Sequence, residues 1–124
     1  MILYISTSEK NLIRLSIIKK SGRVIARERM RTDFDHAEKL LPSIMMLLKK
    51  WKIILDDITA VKVANHGGSF TSLRIGVVTA NAIGYALRIP VLGDDSKAIK
   101  FRNFNIIGPF YDKEPNITIK ESTV

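Results

Sequence analysis

The sequence predicts one α/β domain, a mixed five-stranded sheet of strand order 3-2-1-4-5 with two main helices on one face. Three observations carry that expectation. Near the N-terminus, three short apolar segments are joined by connections too short for a crossover, which makes them an antiparallel meander. The apolar period then changes to helical spacing twice, and each helical stretch leads into another short apolar segment. Both crossovers run in the same direction across the sheet, and the right-handed rule puts both helices on the same side.

Residues 2–7 (ILYIST) form an apolar run rich in branched side chains, which reads as a buried strand. In residues 11–18, Ile13, Leu15 and Ile17 fall on one face, and Leu12, Arg14, Ser16 and Ile18 on the other. Ser21-Gly22 signals a turn, after which residues 23–30 resume as a strand. From Asp35 to about Trp51, Ala37, Leu40, Leu41, Ile44, Met45, Leu48 and Trp51 recur at helical spacing. Asp35 is placed to cap this helix, with Glu38 as its capping-box partner, and Pro42 removes one donor near the second turn.

Residues 59–64 read as a strand, and Asn65-His66-Gly67-Gly68 as a loop. Ser69 is a fitting N-cap for a second helix that runs to about Leu87. That helix is apolar nearly all round, and Gly76, Ala80 and Gly84 form a smooth ridge that lets a neighbouring backbone approach. Apolar surface left uncovered on the two helices would form the kind of patch that marks an interface. Pro90 opens a short strand over residues 90–92; beyond it, SKAIKFRNF reads as a short helix or loop and NITIK as strand-like. The expected division is a domain over residues 1–93 and a short extension over 94–124.

A chain of 124 residues with 46% hydrophobic and 26% charged residues suits one soluble domain with a real core. No apolar run approaches the roughly 18 residues of a membrane span, and MILYISTSEK does not read as a signal peptide. The expected compartment is the cytoplasm. The absence of cysteine excludes disulfides and thiolate metal sites. A net charge of +8 favours polyanions or acidic partners. Much of it lies in Lys19, Lys20, Arg23, Arg27, Arg29 and Arg31, with only Glu28 among them.

Four segments carry a family resemblance. HGGSFTSLRIG at 66–76 is similar to the signature of the TsaB (YeaZ) proteins, in which a Gly-Pro-Gly turn runs into Ser-Phe-Thr-Gly, then an Arg and a Gly. ISTS at 5–8 resembles the family's Ile-Asp-Thr-Ser opening. HAEKLLP at 36–42 resembles its His-Ser-Glu…Leu-Leu-Pro helix, and IPVLG at 89–93 resembles the end of its first domain. The chain departs from the pattern at Ser6, where the family usually has Asp, at His66 and Gly67, which replace Gly-Pro, and at Ser72, which replaces Gly. Family members usually carry a second domain of similar fold, and here about 30 residues follow position 93.

The resemblance implies a ribonuclease H-like domain of the actin/sugar-kinase/Hsp70 superfamily. It also implies a non-catalytic scaffold for the synthesis of threonylcarbamoyladenosine (t6A) in tRNA. Such proteins pair with a TsaD-type threonylcarbamoyltransferase, or with themselves as a homodimer, through the two helices. Carried onto this chain, that surface comprises His36, Leu40, Leu41, Ile44 and Met45 on the first helix, and Phe70, Thr71, Arg74, Val78 and Asn81 on the second.

Catalysis is not expected. Ser6 takes the acidic position of the first strand, and Asp56-Asp57 and Asp94-Asp95 fall where caps or turns are expected. His36 and His66 make a poor metal site without cysteines or clustered carboxylates, and no cofactor is expected. Gly67, Gly68 and Ser69 form a candidate anion loop at a helix N-terminus, set against a plain strand-to-helix turn. They do not make a phosphate-binding Walker loop, because no Lys follows the glycines. A different class of function is a small basic RNA-binding module in which Arg23, Arg27 and Arg29, two or four residues apart on a strand, share one face and meet tRNA phosphates. The alternative for the same residues is an edge strand protected by charge.

Overall fold

A computed structural model describes residues 1–68, 70–94, 99–101 and 104–106. The elements are β1 (Ile2–Ser6), β2 (Leu12–Ile18), β3 (Val24–Arg31), α1 (His36–Lys50), a 3-10 turn (Leu55–Asp57), β4 (Ala60–Val63), α2 (Phe70–Leu87) and β5 (Val91–Leu92). A small ribbon of β6 (Ile99–Phe101) and β7 (Phe104–Ile106) follows, with β6 inside SKAIKFRNF, where a helix or loop is the expectation, and β7 lies beside α2 and β5. The NITIK segment lies outside the described residues.

The main sheet has the order β3-β2-β1-β4-β5, as the sequence predicts. β1 pairs antiparallel with β2 and parallel with β4, and β4 pairs parallel with β5. Alternation delivers Leu3, Ile5, Ile13, Leu15, Ile17, Val61, Val63 and Val91 to one face, where Leu40, Ile44, Leu47, Leu73, Val77 and Ala80 of the two helices bury them. Among the described residues no helix is long and apolar enough to cross a membrane.

The small ridge on α2 is the face pressed against the sheet. A Cβ on Gly76 would stand 2.5 Å from Thr7 Oγ1, and one on Gly84 would overlap a methyl of Val91. Thr7 Oγ1 also accepts a hydrogen bond from Gly76 N–H at 3.0 Å and donates to the Ser72 carbonyl, which ties the end of β1 into the helix ladder.

α1 begins differently from the expectation. Asp35 is the N-cap residue but makes no side-chain cap bond; its carboxylate accepts from Asp33 N–H at 2.9 Å and pairs with Lys39 at 3.4 Å. The Asp33 hydrogen bond, followed by the lysine, holds the Asp35 carboxyl below the usual carboxylate range. The helix closes with Lys52 in the left-handed region at φ 54°, while Ile53 N–H reaches back to the Leu48 carbonyl at 2.8 Å. Glycine takes that conformation without a Cβ penalty, so Lys52→Gly should raise stability by about 1 kcal/mol, read as an upward shift of the urea midpoint.

Candidate partner interface

A sheet face can bury only one stripe of a helix. On α1 the buried stripe is His36, Leu40, Ser43, Ile44, Leu47 and Leu48. One flank, Ala37, Leu41 and Met45 at i+4 spacing, turns toward α2, and Met46 lies on the other flank. On α2 the buried stripe includes Ser72, Leu73, Gly76, Val77 and Ala80, which leaves Thr71, Arg74, Val78 and Tyr85 outside. A groove of about 380 Å³ runs between the helices, lined by Ala37, Thr71, Arg74, Ile75, Val78 and Thr79. Leu41 is 52% exposed, Met45 50%, Val78 65% and Tyr85 64%, more apolar exposure than folding of the chain requires.

The structure divides the expected interface residues. Leu41, Met45, Thr71, Arg74 and Val78 are exposed, and Asn81 is half-buried. His36, Leu40 and Ile44 are not at the surface; they lie on the stripe that packs into the sheet. Phe70 opens α2, and its side chain lies outside the described residues. Helical spacing alone groups positions 36, 37, 40, 41, 44 and 45 together, and only the rotation of the helix about its own axis decides which of two adjacent stripes goes inward. Tyr85, not among the expected residues, is exposed on the same stripe; its place four residues beyond Asn81 and seven beyond Val78 is the signal that groups it with them.

His36 has an internal role. Its Nε2–H is shared between the carbonyls of Glu9, 2.8 Å away, and Leu12, 3.1 Å away, and its Nδ1 lies 3.2 Å from the Thr32 hydroxyl. It therefore holds the β1–β2 loop and the end of β3 against the first turn of α1.

The glycine loop is built as a tight turn. Gly67 and Gly68 take φ 70° and 67°, and a Cβ on Gly68 would overlap the Ser8 carbonyl. Asn65 N–H donates to Asp94 Oδ2 at 3.1 Å, Asp94 N–H donates to Asn65 Oδ1 at 2.9 Å, and His66 Nδ1 is 3.7 Å from the same carboxylate. A carboxylate against this loop disfavours an anion there. Ser69, the third residue of the candidate anion loop, lies outside the described residues. Asp57 accepts from Ile54 N–H at 3.1 Å, the turn-capping role expected of that pair. Among the described residues no three His, Cys, Asp or Glu side chains come together as a metal-holding group.

The basic face is arranged by register. Across β2 and β3, Arg14 stands opposite Arg29, Ser16 opposite Arg27, and Leu12 opposite Arg31. Arg27, Arg29 and Arg31 thus share the face of the sheet away from the helices, and all three are exposed. Arg23 does not join them: it precedes β3 in the hairpin, and an irregularity in the register at Ile25 interrupts the alternation between it and Arg27. Arg31 takes the place expected of Arg23. Arg14 pairs with Glu9 at 3.1 Å. Tyr4 lies on the same face, opposite Ser16; burial pushes its phenol above the usual tyrosine range, and the Asp94 carboxylate adds to that.

A mixed sheet in this order, with both crossover helices on one face, defines a ribonuclease H-like domain of the actin/sugar-kinase/Hsp70 class. RuvC of T. thermophilus, solved with a Holliday junction substrate, shares this fold at a TM-score of 0.53 with 10% identity, a likeness of fold alone. The family model described as TsaD, tRNA N6-adenosine threonylcarbamoyltransferase, matches residues 23–103, and the chain belongs to that family. The chain is also similar in sequence and structure to TsaB (YeaZ) proteins. YeaZ from Pseudomonas aeruginosa superposes with a TM-score of 0.67 and 26% identity over 74% of this chain and 42% of that one. The tRNA threonylcarbamoyladenosine biosynthesis protein TsaB of Bacillus subtilis is 30% identical over 82 residues, 63% of this chain and 36% of the relative. An uncharacterized protein of Mycobacterium tuberculosis is 37% identical over 82 residues, 65% of this chain and 39% of its own length. The chain thus spans well under half the length of these relatives.

Proposed function

We propose that this chain serves tRNA threonylcarbamoyladenosine synthesis as a non-catalytic partner subunit. In this reading residues 1–93 form the working unit, and the exposed strip across α1 and α2 docks a TsaD-type transferase. Two copies of the chain can occupy the same strip when that partner is absent. The observation that carries the reading is the apolar strip of Leu41, Met45 and Val78 beside the groove, on the elements that hold the family's signature residues. The likeness to proteins named for threonylcarbamoyladenosine biosynthesis supplies the pathway. A non-catalytic part is supported by Ser6, which stands on β1 within 3.2 Å of Ser8 where the family usually has Asp.

The test is size-exclusion chromatography with light scattering, on the chain alone and mixed with the TsaD-type protein of the same source. A 1:1 complex is expected. Val78→Glu and Leu41→Glu place an unpaired charge in the strip that the complex would bury and should weaken that complex by about 100-fold or more, while both variants keep the parent's melting curve because these side chains are exposed in the chain alone. A chain that stays monomeric and fails to associate overturns the proposal.

A further inference from the structure

The outer edge of β3 combines three features that no docking on the helix pair uses. First, its backbone is open: among the described residues β3 is bonded to β2 alone. Thr32 N–H donates to the Asn11 carbonyl at 3.0 Å, which sets the phase of the ladder. With the observed register, Met30, Glu28 and Ala26 direct their backbone groups to β2, and Arg27, Arg29 and Arg31 direct theirs outward.

Second, the side chains of those same three residues form a cationic row. None of them has an ion-pair partner among the described residues. Arg29 faces Arg14 directly across the strands, a like-charge pair that Glu9 relieves on the Arg14 side only. Successive members of the row stand roughly 7 Å apart, the spacing of every second side chain in an incoming strand.

Third, the opposite face of the edge carries a groove that is apolar at its floor, with Ser43, Lys49 and Lys50 along its α1 side. This groove of about 670 Å³ opens between β3 and α1, with Ile13, Leu15 and Leu47 as its floor and Met30 and Met46 as its walls. Its one acidic residue, Glu28, is already held by Lys50 at 2.7 Å.

We propose that this edge takes up an extended acidic peptide as a sixth strand, with carboxylates on Arg27, Arg29 and Arg31 and alternate apolar side chains in the groove. Charge complementarity selects the occupant. A second copy of β3 would lay arginines beside arginines, and a neutral or basic strand would leave the cationic row unpaired, so the charges that block indiscriminate pairing admit an acidic strand. A nucleic acid would satisfy the arginines but leave the backbone edge and the apolar groove unfilled.

The experiment is a fluorescence-anisotropy titration of the full chain with fluorescein-labelled peptides of about ten residues. One alternates Glu and Val, one alternates Lys and Val, and one is oligoglutamate. The Glu/Val peptide should bind at least about tenfold more tightly than oligoglutamate, and the Lys/Val peptide should not bind. Arg29→Pro removes an outward N–H without touching the ladder to β2, and should cost about tenfold more than Arg29→Ala, which removes the charge alone. Met46→Glu, at an exposed position that leaves folding intact, should weaken the Glu/Val peptide about tenfold and oligoglutamate hardly at all. The proposal is overturned if the Glu/Val peptide does not bind. It is equally overturned if that peptide and oligoglutamate bind alike and neither Met46→Glu nor Arg29→Pro separates them. In that case the arginines are a bare polyanion surface, and competition by a single-stranded RNA oligonucleotide would assign them to nucleic acid.

Discussion

His36→Ala should lower the stability of this chain by about 3 kcal/mol, with the urea midpoint falling and the slope unchanged. The imidazole is 2% exposed and joins three segments that are distant in sequence: the β1–β2 loop, the end of β3 and the start of α1. Truncation strands the Glu9 and Leu12 carbonyls and the Thr32 hydroxyl without their partner, and leaves a void at the foot of the helix. The buried Thr32 hydroxyl left without its partner costs about 1–3 kcal/mol, the part-buried Glu9 and Leu12 carbonyls cost less because water can reach them, and the cavity adds to the loss. A residue that only touched a partner would behave in the opposite way, sparing the melting curve and weakening the complex. Equilibrium unfolding of the isolated chain therefore separates the two roles in one measurement.

Gly84→Val should destabilise by a similar amount, about 3 kcal/mol. The position lies on the buried face of α2, where an added Cβ overlaps Val91 Cγ2 and stands 3.1 Å from the Ile89 carbonyl. Valine gains roughly half a kcal/mol of helix propensity over glycine, too little to offset the overlap. The strain has a single main source, so a second substitution should relieve it. Val91→Ala alone should cost about 2 kcal/mol by opening a cavity under β5, and in combination with Gly84→Val the costs should fall short of additive by at least about 1 kcal/mol. Thermal or urea melts of the four members of this cycle measure the coupling. Additive losses would mean that β5 and the helix yield separately and that the small ridge is not what seats α2.

Much of this architecture was legible from pattern. Period-two alternation places Ile13, Leu15 and Ile17 on the buried face of β2, and the Gly76-Ala80-Gly84 spacing marks the face of α2 that meets the sheet. Both signals are local, and each is enforced by one repeating geometry. The exposed helix flank was less legible. Leu41 and Met45 were separable from Leu40 and Ile44 only by the rotation of α1 about its own axis, a property of its packing against β2 and α2. The basic row was misplaced at one end for a related reason: an extra residue at Ile25 shifts the alternation, and nothing in RVIARERM announces a bulge.

By itself the sequence determined the strand order, the side of the sheet that carries the helices, and the family, because these follow from hydrophobic period, crossover handedness and contiguous signature residues. Tertiary structure alone decided which helix flank stays exposed, that His36 serves the fold, and that Arg31 rather than Arg23 completes the row with Arg27 and Arg29. Each of these depends on how one element is rotated or registered against another. Periodicity fixes that relation only to within one stripe of a helix or one step of a strand, and the packing of side chains settles the remainder.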